Sequence, residues 1–147
     1  MAEKAEIGSM INNMIAWAES RLGSPDYAGR CLSFIEDALE QSSGIEIFGG
    51  GSAKESSEMY SDALRAGEPE RGAFVFYDCL CQSEDGPVNR GHCGIALGDW
   101  RVIHAWDRVR FNGVHEIEKL TALTGDHPRY IGRVPVERVL AQKNPEE

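Results

Sequence analysis

The chain has 147 residues, of which 41% are hydrophobic and 27% are charged, and its formal net charge is −9. This balance is typical of a folded globular protein, and no apolar run approaches the roughly 20 residues of a membrane span, so an integral membrane protein is excluded. The acidic charge argues against nucleic acid and anionic membranes as partners, because phosphate groups attract clustered lysine and arginine.

The N-terminal segment MAEKAEIGSM has one lysine and no apolar core, which is not the pattern of a secretory signal peptide. We therefore expect a protein that is cytoplasmic or exported by a route other than the Sec pathway. In that setting the cysteines are expected to be free thiols rather than disulfides; they are Cys31, Cys79, Cys81 and Cys93.

The first half of the chain predicts helices. Apolar residues recur at helical spacing over Ile7–Leu22 and again over Cys31–Gln41, and Gly23 ends the first of these runs. The capping box Ser52–Glu55 predicts a third helix that extends to about Ala66. The buried face of the second helix is expected to consist of Phe34, Ile35, Ala38 and Leu39.

The second half predicts an antiparallel sheet. Asn112-Gly113, between Val109–Phe111 and Val114–Ile117, is typical of a β-hairpin turn, and a short helix is expected over Glu118–Leu123. The other strand-like runs are Ala73–Tyr77, His92–Leu97, Arg101–Trp106 and Tyr130–Val134. Helices followed by an antiparallel sheet predict one α+β domain over residues 1–147.

Cys31 is the first candidate for chemistry because it opens a predicted helix. The positive end of the helix dipole and the unpaired backbone N–H groups there favour a thiolate, which is the nucleophilic form. The same N–H groups could stabilise an oxyanion after attack on an acyl carbon. The alternative is a buried cysteine that packs as a small apolar side chain.

Two histidines on neighbouring predicted strands could complete such a site. His92 could take the thiol proton, and His104 could hydrogen-bond the far nitrogen of the His92 ring and fix its orientation. The alternative for each is a purely structural role. His115 and His127 lie in polar turns, and we expect both to be solvated.

The turn between these strands decides whether the two histidines can meet. A two-residue turn at Gly98-Asp99 places His104 opposite Cys93, and the histidines then lie on opposite faces of the sheet. One additional residue, in the turn or as a bulge, places His104 opposite Gly94, with His92 as its diagonal neighbour on the same face. The catalytic hypothesis requires the second arrangement, in which Gly94 and Ala96 would leave room for the helix that carries Cys31.

The remaining cysteines allow a different hypothesis. Cys79, Cys81, His92 and Cys93 are zinc-ligand types, although Cys-x-Cys is tighter than the usual spacing of zinc ligands. We favour no metal and no cofactor, with Cys79 and Cys81 as exposed thiols of a polar loop. Trp100, Trp106 and Asp107 could line a ligand cleft or simply pack on the sheet.

Four motifs in order give the chain a resemblance to the NlpC-like cysteine peptidases, papain-fold enzymes that cut peptidoglycan stem peptides. That family has a cysteine opening a helix after a turn with Tyr and Gly, then a Gly-Asp-rich strand start, a His-x-Gly-Ile strand and an Ile-His-Ala-like run. The matching segments are Leu22–Tyr27 with Cys31–Phe34, Arg71–Phe76, His92–Gly98 and Val102–Ala105.

The resemblance implies a papain-like fold and a role for each residue. Cys31 would be the nucleophile, His92 the general base and then acid, and His104 the orienting residue. The Cys31 backbone N–H, with the Tyr27 hydroxyl, would form the oxyanion hole. The implied substrate is a wall peptide cut between D-glutamate and a diamino acid, and an inhibitor or immunity protein is an expected partner.

The chain also departs from the family pattern. Arg30 stands where an Asp usually precedes the cysteine, and Leu32-Ser33 replaces the usual Ser-Gly. Two alternatives therefore stay open: an amidase or acyltransferase of the same superfamily with a non-wall substrate, and a non-catalytic binding module of the same fold.

Overall fold

The computed structural model describes residues 4–141, with side chains from residue 6 onward. Three helices precede the sheet, a short helix follows it, and a 3₁₀ turn spans Ile117–Lys119. The α-helices are α1 (Lys4–Glu19), α2 (Cys31–Ser43), α3 (Ala53–Met59) and α4 (Val136–Leu140). Among residues 4–141, no helix combines the length and apolar character needed to cross a membrane.

A five-stranded antiparallel sheet forms the centre of the described chain, in the order β6-β5-β4-β1-β7. Its strands are β1 (Phe74–Asp78), β4 (His92–Gly98), β5 (Arg101–Ala105), β6 (Val109–Gly113) and β7 (Arg129–Val134). A two-stranded ribbon, β2 (Leu80–Cys81) with β3 (Val88–Asn89), lies in the loop before β4. The predicted α+β class is confirmed.

The two faces of the sheet have different coverings, because side chains alternate along each strand. On one face, Cys93, Ile95 and Ile103 pack with the buried residues of α1 and α2. On the other, Ala96 and Val102 pack with side chains of the segment that follows β6. Gly94 shares this second face, because a Cβ on Gly94 would lie 2.9 Å from the Cβ of His104. The expectation that Gly94 and Ala96 make room for the Cys31 helix is therefore wrong.

Several predicted elements need correction. Asn112-Gly113 is not a hairpin turn: β6 runs through it as one strand paired with β5, and the chain turns earlier, around Trp106–Arg108. Val114 and Ile117 are not in a strand but are buried on the second face of the sheet. The third helix ends at Met59 rather than Ala66, since Arg65 pairs with Arg133 at the sheet edge. The expected helix over 118–123 is only the 3₁₀ turn.

Other predictions hold. The buried residues of α2 are the four that its apolar pattern predicted, and the side chain of Ser52 accepts a hydrogen bond from the Glu55 backbone N–H, as a capping box requires. A single domain over residues 1–147 stays a prediction, since the ends of that range lie outside the described residues.

The β4–β5 connection has the arrangement that the catalytic hypothesis requires. Asp99 and Trp100 form a two-residue turn with φ of 55° and 62°, and a bulge lies between Ala96 and Gly98. The bulge supplies the additional residue, so that Ile95 pairs with Ile103. This register carries both histidines on the same face of the sheet.

Candidate active site

The segment before α2 holds the start of that helix against the β5–β6 hairpin. The backbone N–H of Gly29 donates to the Trp106 carbonyl at 3.3 Å. Further back, Gly23 donates to the Val109 carbonyl at 2.9 Å, and Val109 donates to the Ser24 carbonyl at 3.0 Å. These bonds place Cys31, the first residue of α2, near the end of β5 that carries His104.

Cys31 lies where a nucleophile should be reachable. Its side chain is only partly buried and packs at the edge of the core shared by α2 and β4. The thiol interacts with the side chains of His92 and Cys93, the first two residues of β4. Arg30, which precedes the helix, provides no side-chain cap, so the helix N-terminus beside Cys31 is not blocked by its own chain.

The two predicted histidines meet in the interior. Nε2 of His92 lies 2.8 Å from Nδ1 of His104. His104 is fully buried and His92 is 4% exposed. The ring of Trp106 meets the His92 ring edge to face at a centroid distance of 5.0 Å, which restricts rotation of the imidazole. Because Nε2 of His92 is taken by His104, Nδ1 is the nitrogen left for the Cys31 thiol.

A residue that the sequence analysis assigned to a turn joins this site. Nε2 of His104 lies 2.8 Å from Oδ1 of Asn112 on β6. The sequence did contain a signal: once β5 and β6 are paired at His104 and Arg110, Asn112 is the diagonal neighbour of His104 on the same face. The strength of Asn-Gly as a hairpin signal obscured it.

The electrostatic surroundings favour a charged thiol at Cys31 and a protonated thiol at Cys93. The hydrogen bond from Cys93 and then the charge of His92 hold the pKa of Cys31 well below its usual value, against the opposing effect of burial. Burial, followed by the neighbouring Cys31, raises the pKa of Cys93 well above its usual value. Cys93 therefore stays protonated and donates its S–H to the Cys31 sulfur.

His104 is held neutral. Burial, and then the charge of the adjacent His92, lowers its pKa to about 3. A neutral imidazole has one N–H and one acceptor nitrogen. His104 can therefore accept a hydrogen bond from His92, provided that its own proton sits on the nitrogen that faces Asn112.

Gly91 and Gly94 are required by the local backbone. Gly91 has φ of +72°, and a Cβ there would lie 2.8 Å from the Lys54 backbone nitrogen. A Cβ on Gly94 would lie 2.5 Å from a methyl carbon of Val102. Gly91 therefore allows the chain to enter β4, and Gly94 allows β4 to lie close to Val102 and His104.

Tyr27 lies in the segment before α2, as predicted, but its hydroxyl has another partner. It donates to Oδ2 of Asp37 at 2.6 Å, and its ring packs on Trp17 and Phe34. Burial, then the bond to Asp37, raises its pKa to about 12, so the hydroxyl keeps its proton. Its role in an oxyanion hole stays a prediction, and it would require the hydroxyl to turn away from Asp37.

The remaining candidates lie apart from this arrangement. Within the described side chains, no three His, Cys, Asp or Glu residues lie close enough together to hold a metal ion, so the alternative zinc cluster is not formed. Cys79 is buried and Cys81 half-buried, which corrects the expectation of two exposed loop thiols. His115 and His127 are exposed, as expected, and Trp100 contacts His115 rather than the site.

The sequence matches no family model and no curated protein. Solved structures do resemble the fold. The peptidoglycan hydrolase RipB from Mycobacterium tuberculosis is 19% identical, with a TM-score of 0.52 over 76% of this chain and 62% of that one. The chain therefore spans less than two thirds of RipB.

Two further structures match nearly over their whole length. RipD from M. tuberculosis, described as a non-catalytic NlpC/p60 domain protein adapted to peptidoglycan binding, is 14% identical with a TM-score of 0.53 over 86% of this chain and 97% of that one. A chain of the type VI effector–immunity complex Tae3–Tai3 from Ralstonia pickettii is 21% identical with a TM-score of 0.51, over 86% and 98%. At these identities the similarity establishes the fold, and the chain has the papain-like fold of NlpC/P60 proteins.

Proposed function

We propose that this chain is a cysteine hydrolase that cleaves an amide bond in peptidoglycan stem peptides through an acyl-enzyme. The observation that carries the proposal is the row of contacts from Cys31 through His92 to His104, built on an NlpC/P60 fold. RipD has this fold and is described as non-catalytic. Retention of a thiol in contact with an imidazole favours catalysis over binding alone.

The proposed reaction has two stages. The Cys31 thiolate attacks the carbonyl carbon of the scissile amide, and the His92 imidazolium gives its Nδ1 proton to the departing amine. The thioester that results is attacked by water, whose proton His92 takes, and the Cys31–acyl bond breaks to release the acid and restore the thiolate. His104 holds the His92 ring through both stages.

The oxyanion formed in each stage needs hydrogen-bond donors. The backbone N–H of Cys31, at the uncapped start of α2, is one such donor, supported by the positive end of the helix dipole. The Tyr27 hydroxyl is the second donor that the family resemblance implies. It can serve only after exchanging Asp37 for the substrate oxygen.

The bond between D-glutamate and the diamino acid is the proposed cleavage site. The test is incubation of the wild-type chain and Cys31→Ala with defined muropeptides, followed by mass analysis. We expect two products whose summed mass exceeds the mass of the substrate by one water, and no products with Cys31→Ala. Equal binding by both proteins without products would support the binding-module alternative, and turnover only of non-wall amides would support the amidase alternative.

We also propose an inhibitor protein as a partner and the bacterial wall as the place of action, reached by a non-Sec route. The support for the partner is the similarity to a structure solved as an effector–immunity complex. A protein that covers Cys31 should slow alkylation of this thiol in proportion to its occupancy. Fractionation of the producing cells, with this chain found only in the cytoplasm and never in the medium or a target cell, would contradict the location.

A further inference from the structure

We propose that Asn112 is a positioning residue that fixes the proton positions of His104 and His92, so that His92 presents an acceptor nitrogen to Cys31. The inference rests on the proposed function only in that it assumes a reacting Cys31–His92 pair. It adds a fourth member to the row, contributed by a third strand. It follows from the geometry of β4, β5 and β6, which lie side by side in the sheet.

The row is regular. In the β5–β6 ladder His104 lies opposite Arg110, so Asn112 is its diagonal neighbour. In the β4–β5 register His92 has the same diagonal relation to His104. Diagonal neighbours lie within reach of long polar side chains, and both contacts are 2.8 Å long.

The proton positions follow from the end of the row. The Asn112 oxygen can only accept, so Nε2 of His104 must donate to it. His104 is buried and neutral, and its Nδ1 is then an acceptor without a proton. Nε2 of His92 must therefore donate to it, and Nδ1 of His92 is free to take the proton of Cys31.

Without an acceptor at position 112, nothing selects this pattern. His104 could then carry its proton on Nδ1, where it would oppose the N–H of His92. To remove that conflict, His92 would move its own proton to Nδ1 and could no longer accept one from Cys31. The charged groups around His104 do not determine which of its nitrogens carries the proton. Arg110 and Asp107 lie near the ring, but they bond to each other at 3.1 Å.

The test compares two substitutions of similar size. Asn112→Leu removes the acceptor, whereas Asn112→Asp retains an oxygen that can only accept. Phe111→Leu, at an exposed neighbouring position on β6, is the matched control. Each variant is measured by imidazole nitrogen NMR on isotope-labelled protein, by the pH profile of Cys31 alkylation with iodoacetamide, and by muropeptide turnover.

We expect His104 to be the Nε2–H tautomer in the wild type, in Asn112→Asp and in Phe111→Leu, and to be a mixture of tautomers in Asn112→Leu. The alkylation profile of Asn112→Leu should move to higher pH. A wrong tautomer can cost up to about 10⁴-fold in a catalytic triad, and since Asn112 acts through a second ring we expect a loss of roughly tenfold to hundredfold.

Two results would overturn the inference. One is an unchanged tautomer and alkylation profile in folded Asn112→Leu, which would make Asn112 a packing residue. The other is a wild-type His104 that carries its proton on Nδ1 and takes the Nε2–H tautomer only in Asn112→Asp, which would mean that the amide nitrogen, rather than the oxygen, faces His104. The NMR and alkylation readouts need no wall substrate, so a failure of the peptidoglycan proposal would appear separately, as absent turnover with the tautomers intact.

Discussion

The four histidines of this chain form two pairs with very different surroundings. The inner pair, His92 and His104, lies beside Cys31 where β4 begins and β5 ends, and its two rings bond to each other at 2.8 Å. The outer pair, His115 and His127, lies in the segment between β6 and β7. The His115 side chain is 62% exposed and bonds to Glu118, and His127 bonds to the Leu120 carbonyl.

The difference shows what makes a histidine useful for catalysis. Burial removes water as a hydrogen-bond partner, so each nitrogen of the inner pair has one defined protein partner and one defined role. The outer pair can exchange its partners for water at little cost. Substitutions in the outer pair therefore serve as controls for substitutions in the inner pair.

His92→Ala should remove the proton carrier. General acid–base catalysis is worth about 10²–10⁴-fold in rate, so we expect turnover of muropeptides by His92→Ala to fall by at least about 10²-fold. Turnover by His115→Ala should stay close to that of the wild type. Steady-state rates on folded variants, checked by circular dichroism, provide the comparison. Wild-type turnover in His92→Ala would assign the proton transfer to another group.

His104 should tolerate a substitution that keeps an acceptor. The side-chain oxygen of glutamine can accept the hydrogen bond from the His92 ring, so His104→Gln should retain a measurable part of the activity, and His104→Ala should lose more. The same pair of substitutions at His127 should have no graded effect. If folded His104→Gln is as inactive as Cys31→Ala, an orienting role for His104 is wrong.

Acid should destabilise the protein through His104. Its pKa is about 3 in the folded chain, below the usual value of 6.5. Between these values the unfolded chain binds a proton that the folded chain does not, so the free energy of unfolding decreases as the pH falls, by about 1.4 kcal/mol per pH unit. His104→Gln should remove this part of the slope in urea unfolding, and His127→Gln should leave it in place. Identical slopes in all three proteins would contradict a neutral, buried His104.

The smallest expected effect concerns Cys93, the residue that follows His92 in β4. Cys93→Ala removes the S–H donor to Cys31, so the pKa of Cys31 should rise. Because a thiol is a weak donor, we expect a shift of up to about one pH unit in the alkylation profile. Cys81→Ala is the matched control. A downward shift in Cys93→Ala would mean that Cys93 does not stabilise the thiolate.

The sequence predicted those parts of the molecule that depend on local patterns. The apolar stripe of α2 identified its buried face, and the position of Cys31 at the start of that helix follows from the same pattern. The contact between His92 and His104 could be predicted only on the condition that the β4–β5 connection contains one additional residue. A bulge depends on pairing across strands, and a two-residue turn at Asp99-Trp100, with both residues at positive φ, has no strong local signal.

The parts that were missed depend on contacts distant in sequence. Asn112-Gly113 has the local pattern of a turn, but pairing with β5 keeps Asn112 in a strand, where it reaches His104. Likewise Ser52 correctly starts α3, but the helix ends at Met59, and Arg65 beyond it bonds to Arg133 on β7. Which face of the sheet the helices cover also could not be read from alternation, because both faces are apolar.

The central claim is that Cys31 and His92 form a reactive pair, and its most direct measurement is site-resolved alkylation. The wild type and His92→Ala are treated with iodoacetamide at about pH 6, well below the pKa of roughly 8.5 of a free thiol. The labelling of each cysteine is then quantified by peptide mass analysis. We predict that Cys31 of the wild type is labelled first, ahead of Cys79 and Cys93, and that His92→Ala slows this labelling. Equal labelling of Cys31 in the two proteins, or labelling of Cys31 no faster than of the buried thiols, would contradict the account.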